Sequence, residues 1–168
     1  VLLVDHSYHA KTKSSCFFIS CIESEYDVEC CHIDPLSIGD SLNTLSHLAL
    51  EQYDAIILWQ IDYLASFFLE RGLPTIVFPM YDASFSLDDL HWKAMRGAFI
   101  ICFSLELHRI ASQAGCNSIF VKYFPSDSTT IQKGIGLSEK LQSKPDAPIR
   151  VFFWERLPLE SVNFRTVS

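Results

Sequence analysis

Short, nearly continuous apolar runs alternate with amphipathic segments along most of the chain. The first run, VLLVD at residues 1–5, ends in the polar stretch HSYHAKTKSS, which we expect to be a loop, and CFFISCIES then carries apolar residues at helical spacing. Further strands are predicted at DVECCHI, YDAIILWQ, LPTIVFP, AFIICFS and SIFVKYF. Helices are predicted between them at SLNTLSHLALEQY, IDYLASFFLERG, LDDLHWKAMRG and LELHRIASQAG, and Gly72 is expected to end the second of these.

Apolar strands that alternate with helices are typical of a parallel sheet covered on both faces. Six such strands with about five helices predict an α/β fold, a doubly wound, mostly parallel, Rossmann-like sheet with helices on both faces. We expect this domain to span residues 1–126. Residues 127–147 are polar, contain Gly and Pro and lack an apolar stripe, which indicates a linker. Residues 148–168 begin with a further strand, IRVFFW.

Composition narrows the class of protein. A chain of 168 residues with 49% hydrophobic content can bury one substantial core, and a net charge of −7 without a block of Lys and Arg argues against a nucleic-acid partner. The apolar runs are too short to cross a bilayer, and the opening residues lack the features of a secretory signal. The six cysteines form no CxxC pair and lie mostly in apolar runs, so we expect free thiols in a cytoplasmic protein.

Ligands of open parallel sheets bind beyond the carboxyl ends of the strands, where loops lead into helices. We therefore expect the functional residues in the loops after the first, third, fourth and fifth strands. These loops supply Asp5, His6, Tyr8, His9, Lys11 and Lys13; Trp59, Gln60 and Asp62; Tyr81, Asp82 and Ser84; and Ser104 and Glu106. The predicted site is a polar edge rich in hydroxyl, imidazole and aromatic groups.

Several familiar site motifs are absent from these loops. The first loop has no glycine, which excludes the GxGxxG turn of dinucleotide-binding domains, and the chain has neither a P-loop nor a GxSxG nucleophile motif. Trp59-Gln60 and Ser104 stand where a phosphoacceptor receiver domain has an Asp and a Lys. His6 and His9 have the spacing of a metal-binding pair, but we find no set of further ligands that completes a site and expect no metal.

The order of the segments from Asp54 to Asp127 resembles the amino-terminal half of GT-B glycosyltransferases, especially the family 4-like type. The matching pieces are YDAIILWQ, a helix, GLPTIVFPMYDAS, a helix, AFIICFSLELHRIASQAG and SIFVKYFPSD, and the resemblance covers roughly residues 1–156. Its motifs are short, so their specificity lies in their order and spacing. Where the family pattern has a His-Asp pair after the fourth strand, this chain has Tyr81 and Asp82.

The resemblance implies an enzyme in which two Rossmann-like domains face each other across a cleft. The amino-terminal domain binds the hydroxyl acceptor and the second domain binds the nucleotide-sugar donor, with no cofactor and no metal in the active centre. Residues 148–168 then resemble the start of the donor-binding domain. The chain is expected to be inactive without that domain, because catalysis needs both domains to close over the substrates.

The resemblance also implies roles for individual residues. Asp82 is expected to be catalytic, either as a general base or by orienting the acceptor hydroxyl. Acceptor contacts are expected from His6, Tyr8, His9, Trp59, Gln60, Tyr81, Ser84, Ser104 and Glu106. Donor-phosphate contacts are expected from Lys11 and Lys13, which would replace the glycines that the family often has in the first loop, and from Arg156.

Other interpretations of the same residues stay open. Asp82 or Ser84 could cap the helix at LDDLHWKAM, although Ser86 with Asp89 already makes a plausible cap, and Trp59 could belong to the core. Lys11 and Lys13 could be solvated lysines on a loop. The alternative function is a non-catalytic α/β ligand-binding or protein-interaction module.

The predicted partners follow from the glycosyltransferase hypothesis. They are a nucleotide-sugar donor and a glycan or other hydroxyl acceptor, and no nucleic acid. Peripheral membrane association of the full-length protein stays open. So does self-association through residues 149–154, because an apolar strand without a sheet needs some partner for its backbone groups.

Overall fold

The structure, a computed structural model, describes residues 1–122 and the backbone of residues 151–152 and 166–167; Asp82 is described by its backbone alone. Six parallel strands form one sheet in the order β2-β1-β3-β4-β5-β6. Their bounds are β1 Leu2–His6, β2 Glu29–Ile33, β3 Ile56–Trp59, β4 Thr75–Phe78, β5 Phe99–Cys102 and β6 Asn117–Phe120. The predicted α/β fold with a parallel, Rossmann-like sheet is confirmed.

Helices connect the strands of this sheet. They are α1 Ser7–Thr12, α2 Cys16–Glu23, α3 Ile38–Ser46, α4 Ala65–Leu69, α5 Tyr81–Ser84, α6 Asp89–Ala94 and α7 Leu105–Gln113, with 3₁₀ turns at Leu50–Gln52 and Asp62–Leu64. Gly72 follows α4 with a φ of 72°, a left-handed conformation that glycine adopts without steric cost. Helix α4 itself ends at Leu69, three residues before the predicted end, and Gly72 lies in the turn that leads from the helix toward β4.

Two apolar clusters occupy the two faces of the sheet. Alternate residues of a strand point to opposite faces, and Leu2 and Val4 of β1 accordingly lie in the larger cluster whereas Leu3 lies in the smaller one. The larger cluster contains buried side chains of α3, α4, α6 and α7. In the smaller cluster, Phe18 of α2 stacks on Trp59 with ring centroids 3.7 Å apart. Helices therefore cover both faces.

The chain order places a topological switch between β1 and β3. From β1 the chain runs to β2 on one side, and it then crosses to β3 on the other side of β1. Val4 of β1 is in register with Leu58 of β3, and Trp59 of β3 is in register with Phe78 of β4. The loops after β1, β3 and β4 therefore leave the sheet side by side, at the edge where open α/β sheets bind ligands.

The first loop differs from its prediction. Residues 7–12 form α1, although HSYHAKTKSS lacks an apolar stripe. The His6 side chain caps this helix by accepting a hydrogen bond from the Tyr8 backbone N–H, and Lys13 ends it with a φ of 57°. Capping and a buried contact of His9, rather than amphipathic packing, therefore stabilise this turn.

Two predicted helices are also placed differently. The segment IDYLASFFLERG is not one helix but a 3₁₀ turn, Asp62–Leu64, followed by the five-residue α4. Helix α6 begins at Asp89 and is capped by Asp88, whose carboxylate accepts from the His91 backbone N–H at 3.1 Å. The cap predicted at Ser86 is therefore wrong, because Asp88 occupies the capping position.

The chain divides into two units, Val1–Tyr123 and Phe124–Ser168. In the second unit, β7 Val151–Phe152 pairs antiparallel with β8 Thr166–Val167. The predicted linker, residues 127–147, lies outside the described residues, and so does the apolar segment 149–154 apart from β7. Self-association through residues 149–154 stays a prediction. Within the described part of the chain, none of the helices combines the length and the apolar character that a membrane span requires.

Candidate functional site

The carboxylate of Asp5 lies fully buried near the carboxyl end of β1 and accepts three hydrogen bonds. Its Oδ1 accepts from the His6 backbone N–H and lies 2.6 Å from His9 Nδ1, and its Oδ2 accepts from Ser15 Oγ at 2.6 Å. A buried carboxylate is stable only when donors satisfy its oxygens. Asp5 is therefore the centre of a buried polar cluster, Asp5–His9–Ser15, at the predicted ligand edge.

The contact with Asp5 determines what the His9 ring can do. An ionised carboxylate only accepts hydrogen bonds, so the hydrogen of a neutral His9 ring lies on Nδ1 and the lone pair lies on Nε2. His9 is 8% exposed, so it is held by the protein but is not wholly sealed from the edge. A buried carboxylate that holds an imidazole through Nδ1 leaves Nε2 as the nitrogen with the free lone pair, the arrangement found in general-base histidines.

Two aromatic rings of neighbouring residues lie close to this histidine. The ring centroid of His6 lies 5.2 Å from that of His9, and the ring of Tyr8 lies 6.3 Å from that of His9 in an edge-to-face arrangement. Tyr8 is 59% exposed. The structure thus brings the predicted site residues His6, Tyr8 and His9 together, with the buried His9 beside an exposed aromatic ring.

The pKa of His6 is lowered from its ordinary value of 6.5, first by burial and then by the neighbouring His9, although Asp5 and Asp34 raise it. As the pH falls, the unfolded chain therefore takes up this proton before the folded protein does. The contribution of His6 to stability is complete above pH 6.5 and is lost as the pH falls through 6.5 and then through the lower folded pKa.

The variant His6→Asn tests this pH dependence. Asn can still cap α1 but does not titrate, so below pH 6.5 the free energy of unfolding of the natural protein should fall more steeply than that of the variant. Urea unfolding between about pH 5 and 8 measures both curves, a range that covers the ordinary His pKa. Parallel curves would contradict the expected shift.

A second buried carboxylate, Asp62, joins three segments at the same edge. Asp62 follows β3 and is 5% exposed. Its Oδ2 accepts from Ser84 Oγ of α5 at 2.6 Å and lies 3.0 Å from His91 Nε2 of α6. The side chain of His91 is 16% exposed. We refer to Asp62, Ser84 and His91 as the Asp62 cluster.

Neither cluster is a Ser-His-Asp triad. In a nucleophilic triad the serine hydroxyl donates to the imidazole, which the carboxylate holds from its other nitrogen. Here Ser15 and Ser84 each donate to the carboxylate itself. The hydroxyls are therefore not activated as nucleophiles. The acid–base groups of the edge are the two imidazoles that buried carboxylates hold, His9 beside Asp5 and His91 beside Asp62.

Three predicted acceptor contacts are involved in other interactions in this structure. Trp59 is 3% exposed and packs in the smaller core cluster, so its ring offers no open face to a sugar. Ser84 is fully buried and its hydroxyl donates to Asp62. The Ser104 hydroxyl caps α7 by accepting from the backbone N–H groups of Glu106 and Leu107.

The other predicted contacts lie at or near the surface. Gln60 is partly exposed directly after β3 and has a φ of 60°, a strained conformation for a residue other than glycine. Tyr81 is 49% exposed and packs against Phe85 with ring centroids 5.2 Å apart. Glu106 is exposed and lies 3.5 Å from Arg109.

Two of the three predicted phosphate contacts lie within the described residues, and the predicted catalytic residue is described by its backbone alone. Lys11 and Lys13 are exposed in the last turn of α1 and at its end. The backbone of Asp82 lies in α5, and its predicted catalytic role stays a prediction. Arg156 lies outside the described residues.

The thiols offer no alternative nucleophile in the core. All six cysteines are free, as predicted. Burial raises the pKa of Cys102 to about 12 and raises the pKa of Cys30, Cys31 and Cys116 as well, which disfavours the reactive thiolate. Among the described residues, no group of three or more His, Cys, Asp and Glu side chains is arranged to hold a metal ion.

Two described cavities lie at the opposite, amino-terminal edge of the strands. One, of ≈ 370 Å³, is lined by Val1, Asp27, Glu29, Gln52, Tyr53 and Asp54, and the other, of ≈ 300 Å³, by Ser46, Leu48, Leu50, Glu51, Arg71 and Leu73. These residues precede β1, β2, β3 and β4 or lie at their starts. Neither cavity contains an imidazole, so the acid–base groups described above lie elsewhere.

The sequence predictions missed His91 and Ser15 as members of the site. Asp5 and His9 are four residues apart, and this spacing brings two side chains together when the second lies on the first turns of a helix. This signal is present in the sequence, but the absence of an apolar stripe in HSYHAKTKSS predicts a loop. No local signal links Asp62 to His91, since 29 residues separate them.

Comparison of the chain with protein families, curated proteins and solved structures gives no match.

Proposed function

We propose that this chain is the acceptor-side domain of a glycosyltransferase, which moves a sugar from a nucleotide-activated donor to a glycan or another hydroxyl acceptor. The observation that carries the proposal is the buried Asp5–His9 pair, with His9 Nδ1 2.6 Å from Asp5 Oδ1, at the carboxyl edge of β1. This pair lies beside the switch between β1 and β3, where open α/β sheets bind ligands. The order of the sequence motifs supports the same class of enzyme.

In the proposed reaction, His9 is the general base for the acceptor. Nε2 takes the proton of the acceptor hydroxyl as its oxygen attacks the anomeric carbon of the donor sugar. The bond between that carbon and the phosphate oxygen breaks, and the nucleoside diphosphate leaves with the electron pair. Asp5 stabilises the resulting imidazolium and keeps the ring oriented, as buried carboxylates do in other His-dependent enzymes.

The rest of the edge is suited to holding an acceptor beside this base. Tyr8 and Tyr81 are exposed aromatic residues on the turns that follow β1 and β4. Aromatic rings provide large, rigid contact surfaces at low entropic cost, and a tyrosine adds a hydroxyl for hydrogen bonding. The nucleotide part of the donor is expected to bind mainly to a second domain, with Lys11, Lys13 and Arg156 proposed near its phosphates.

Because the donor is expected to bind mainly to a second domain, the proposed function is tested by comparing the full-length protein with the isolated chain. The full-length protein, screened with a panel of nucleotide sugars and with glycan and small hydroxyl acceptors, should release nucleoside diphosphate and form a glycosylated product with at least one pair. The isolated 168-residue chain should do neither, because the catalytic site closes only between two domains. Turnover by the isolated chain would contradict the two-domain proposal. A full-length protein that binds these ligands but transfers no sugar would favour the alternative, a non-catalytic binding or interaction module.

A further inference from the structure

Residues 81–91 form a segment whose two short helices are held by one carboxylate oxygen. Helix α5 is a single turn of four residues without a side-chain cap. An isolated turn of this length is not stable in water and needs tertiary contacts. Ser84 is fully buried and donates to Asp62 Oδ2, whereas Tyr81 and residues 85–90 are exposed. At the other end of the segment, His91 contacts the same Oδ2.

The carboxylate itself is placed on the rigid frame of the sheet. Asp62 begins the 3₁₀ turn that follows β3, and its neighbours Ile61 and Leu64 are buried in the larger core cluster. The two contacts to Asp62 therefore fix α5 and α6 relative to β3 rather than relative to each other alone. A buried carboxylate bond is among the stronger hydrogen bonds in proteins.

The segment presents an exposed aromatic pair. Tyr81 and Phe85 are 49% and 45% exposed, and their rings are 5.2 Å apart with an interplanar angle of 35°. Since β1, β3 and β4 are consecutive in the sheet, the turns after β1 and β4 leave it about 10 Å apart, two strand spacings. The aromatic pair and His9 therefore lie on helices that follow strands two positions apart at the same edge of the sheet.

We propose that Asp62 is a positioning residue that, through Ser84 and His91, holds the Tyr81–Phe85 pair as a binding surface for the apolar face of a ring in the acceptor. This inference rests on the proposed transferase function. In this inference the buried Ser84 supports the Tyr81–Phe85 surface and does not contact the acceptor itself. The inference also assigns a role to His91, which the sequence motifs did not indicate.

The test uses three variants. Two of them each remove one hydrogen-bond donor to Asp62, and the third replaces the imidazole donor with an amide donor. Ser84→Ala removes the hydroxyl and His91→Leu removes the imidazole, whereas the side-chain amide nitrogen of His91→Gln can replace Nε2. Thr75→Val is the matched control, because Thr75 Oγ1 also makes a buried hydroxyl bond, to Leu73 O at 2.8 Å, but lies at the amino end of β4.

Hydrogen exchange and acceptor kinetics of the full-length protein are the measurements. Amide exchange in residues 81–91 should rise about 10-fold in Ser84→Ala and His91→Leu, the factor expected from one lost hydrogen bond. The KM for the acceptor should rise by a similar factor while the KM for the donor stays unchanged. His91→Gln and Thr75→Val should stay close to the natural protein in both measurements.

The outcomes separate this inference from the proposed function. Unchanged exchange in Ser84→Ala, or faster exchange with an unchanged acceptor KM, would overturn the positioning role. A natural full-length protein without transferase activity would overturn the proposed function and with it the acceptor role of the aromatic pair. In that case the exchange result would still show whether Asp62 holds the segment.

Discussion

Replacing His9 by Asn should lower the turnover of the full-length protein by about 10²–10⁴-fold, the usual contribution of a general base. Asn is the informative substitution because its amide nitrogen occupies nearly the position of Nδ1 and can still donate to Asp5, which lies 2.6 Å from that atom. The variant therefore keeps the buried hydrogen bond but has no basic nitrogen in the position of Nε2. We expect its melting temperature to stay close to that of the natural protein.

The corresponding change at the other candidate base is Asp82→Asn. Asp82 is the general base expected from the sequence resemblance, whereas the general base that we propose is His9, which contacts the buried Asp5. Turnover of the two variants should be measured together, with thermal unfolding as the check on folding. A loss of at least about 100-fold in Asp82→Asn with near-normal turnover in His9→Asn would move the general-base role to Asp82. Near-normal turnover in both folded variants would exclude a general base at either position.

The strands of the fold could be predicted from the sequence because their apolar runs are short and bounded by turn residues. YDAIILWQ and AFIICFS contain β3 and β5, inner strands of the parallel sheet whose side chains are buried in β3 and buried or half-buried in β5. Helix α1 could not be predicted in this way, because the cap from His6 and the contact between His9 and Asp5 stabilise it. Such contacts leave no apolar periodicity in the sequence.

The predicted topology places the candidate residues correctly within the fold, but it does not predict the contacts among them. The residues expected at the carboxyl edge of the sheet lie there, since β1, β3 and β4 are parallel and adjacent. Two of the predicted acceptor contacts, Ser84 and Trp59, are buried, and for Trp59 a place in the core is one of the two alternatives that the sequence leaves open. A polar residue after a strand can face a ligand or can turn toward a buried carboxylate. The sequence does not specify which of these two orientations forms. For Ser84, the carboxylate of Asp62 lies 22 residues away.

Replacing Asp5 by Ala should cause the largest loss of stability among the substitutions considered, about 3 kcal/mol. Asp5 is fully buried and satisfies the His6 N–H, His9 Nδ1 and Ser15 Oγ. Each buried donor that loses its acceptor costs about 1–3 kcal/mol, but removal of a buried carboxylate also recovers part of its own desolvation energy. Urea unfolding followed by circular dichroism would measure the change.

The variant Asp5→Asn distinguishes lost hydrogen bonds from lost volume at this position. The amide oxygen of Asn can replace Oδ1 and accept from the His6 N–H and from His9 Nδ1. Its amide nitrogen would face Ser15 Oγ in place of Oδ2, and a hydroxyl can rotate to accept instead of donating. We therefore expect a loss of only about 1 kcal/mol, the contribution of one hydrogen bond to a charged group relative to a neutral one. Equal losses in Asp5→Asn and Asp5→Ala would mean that the charge of the carboxylate, rather than its three acceptor contacts, stabilises the cluster.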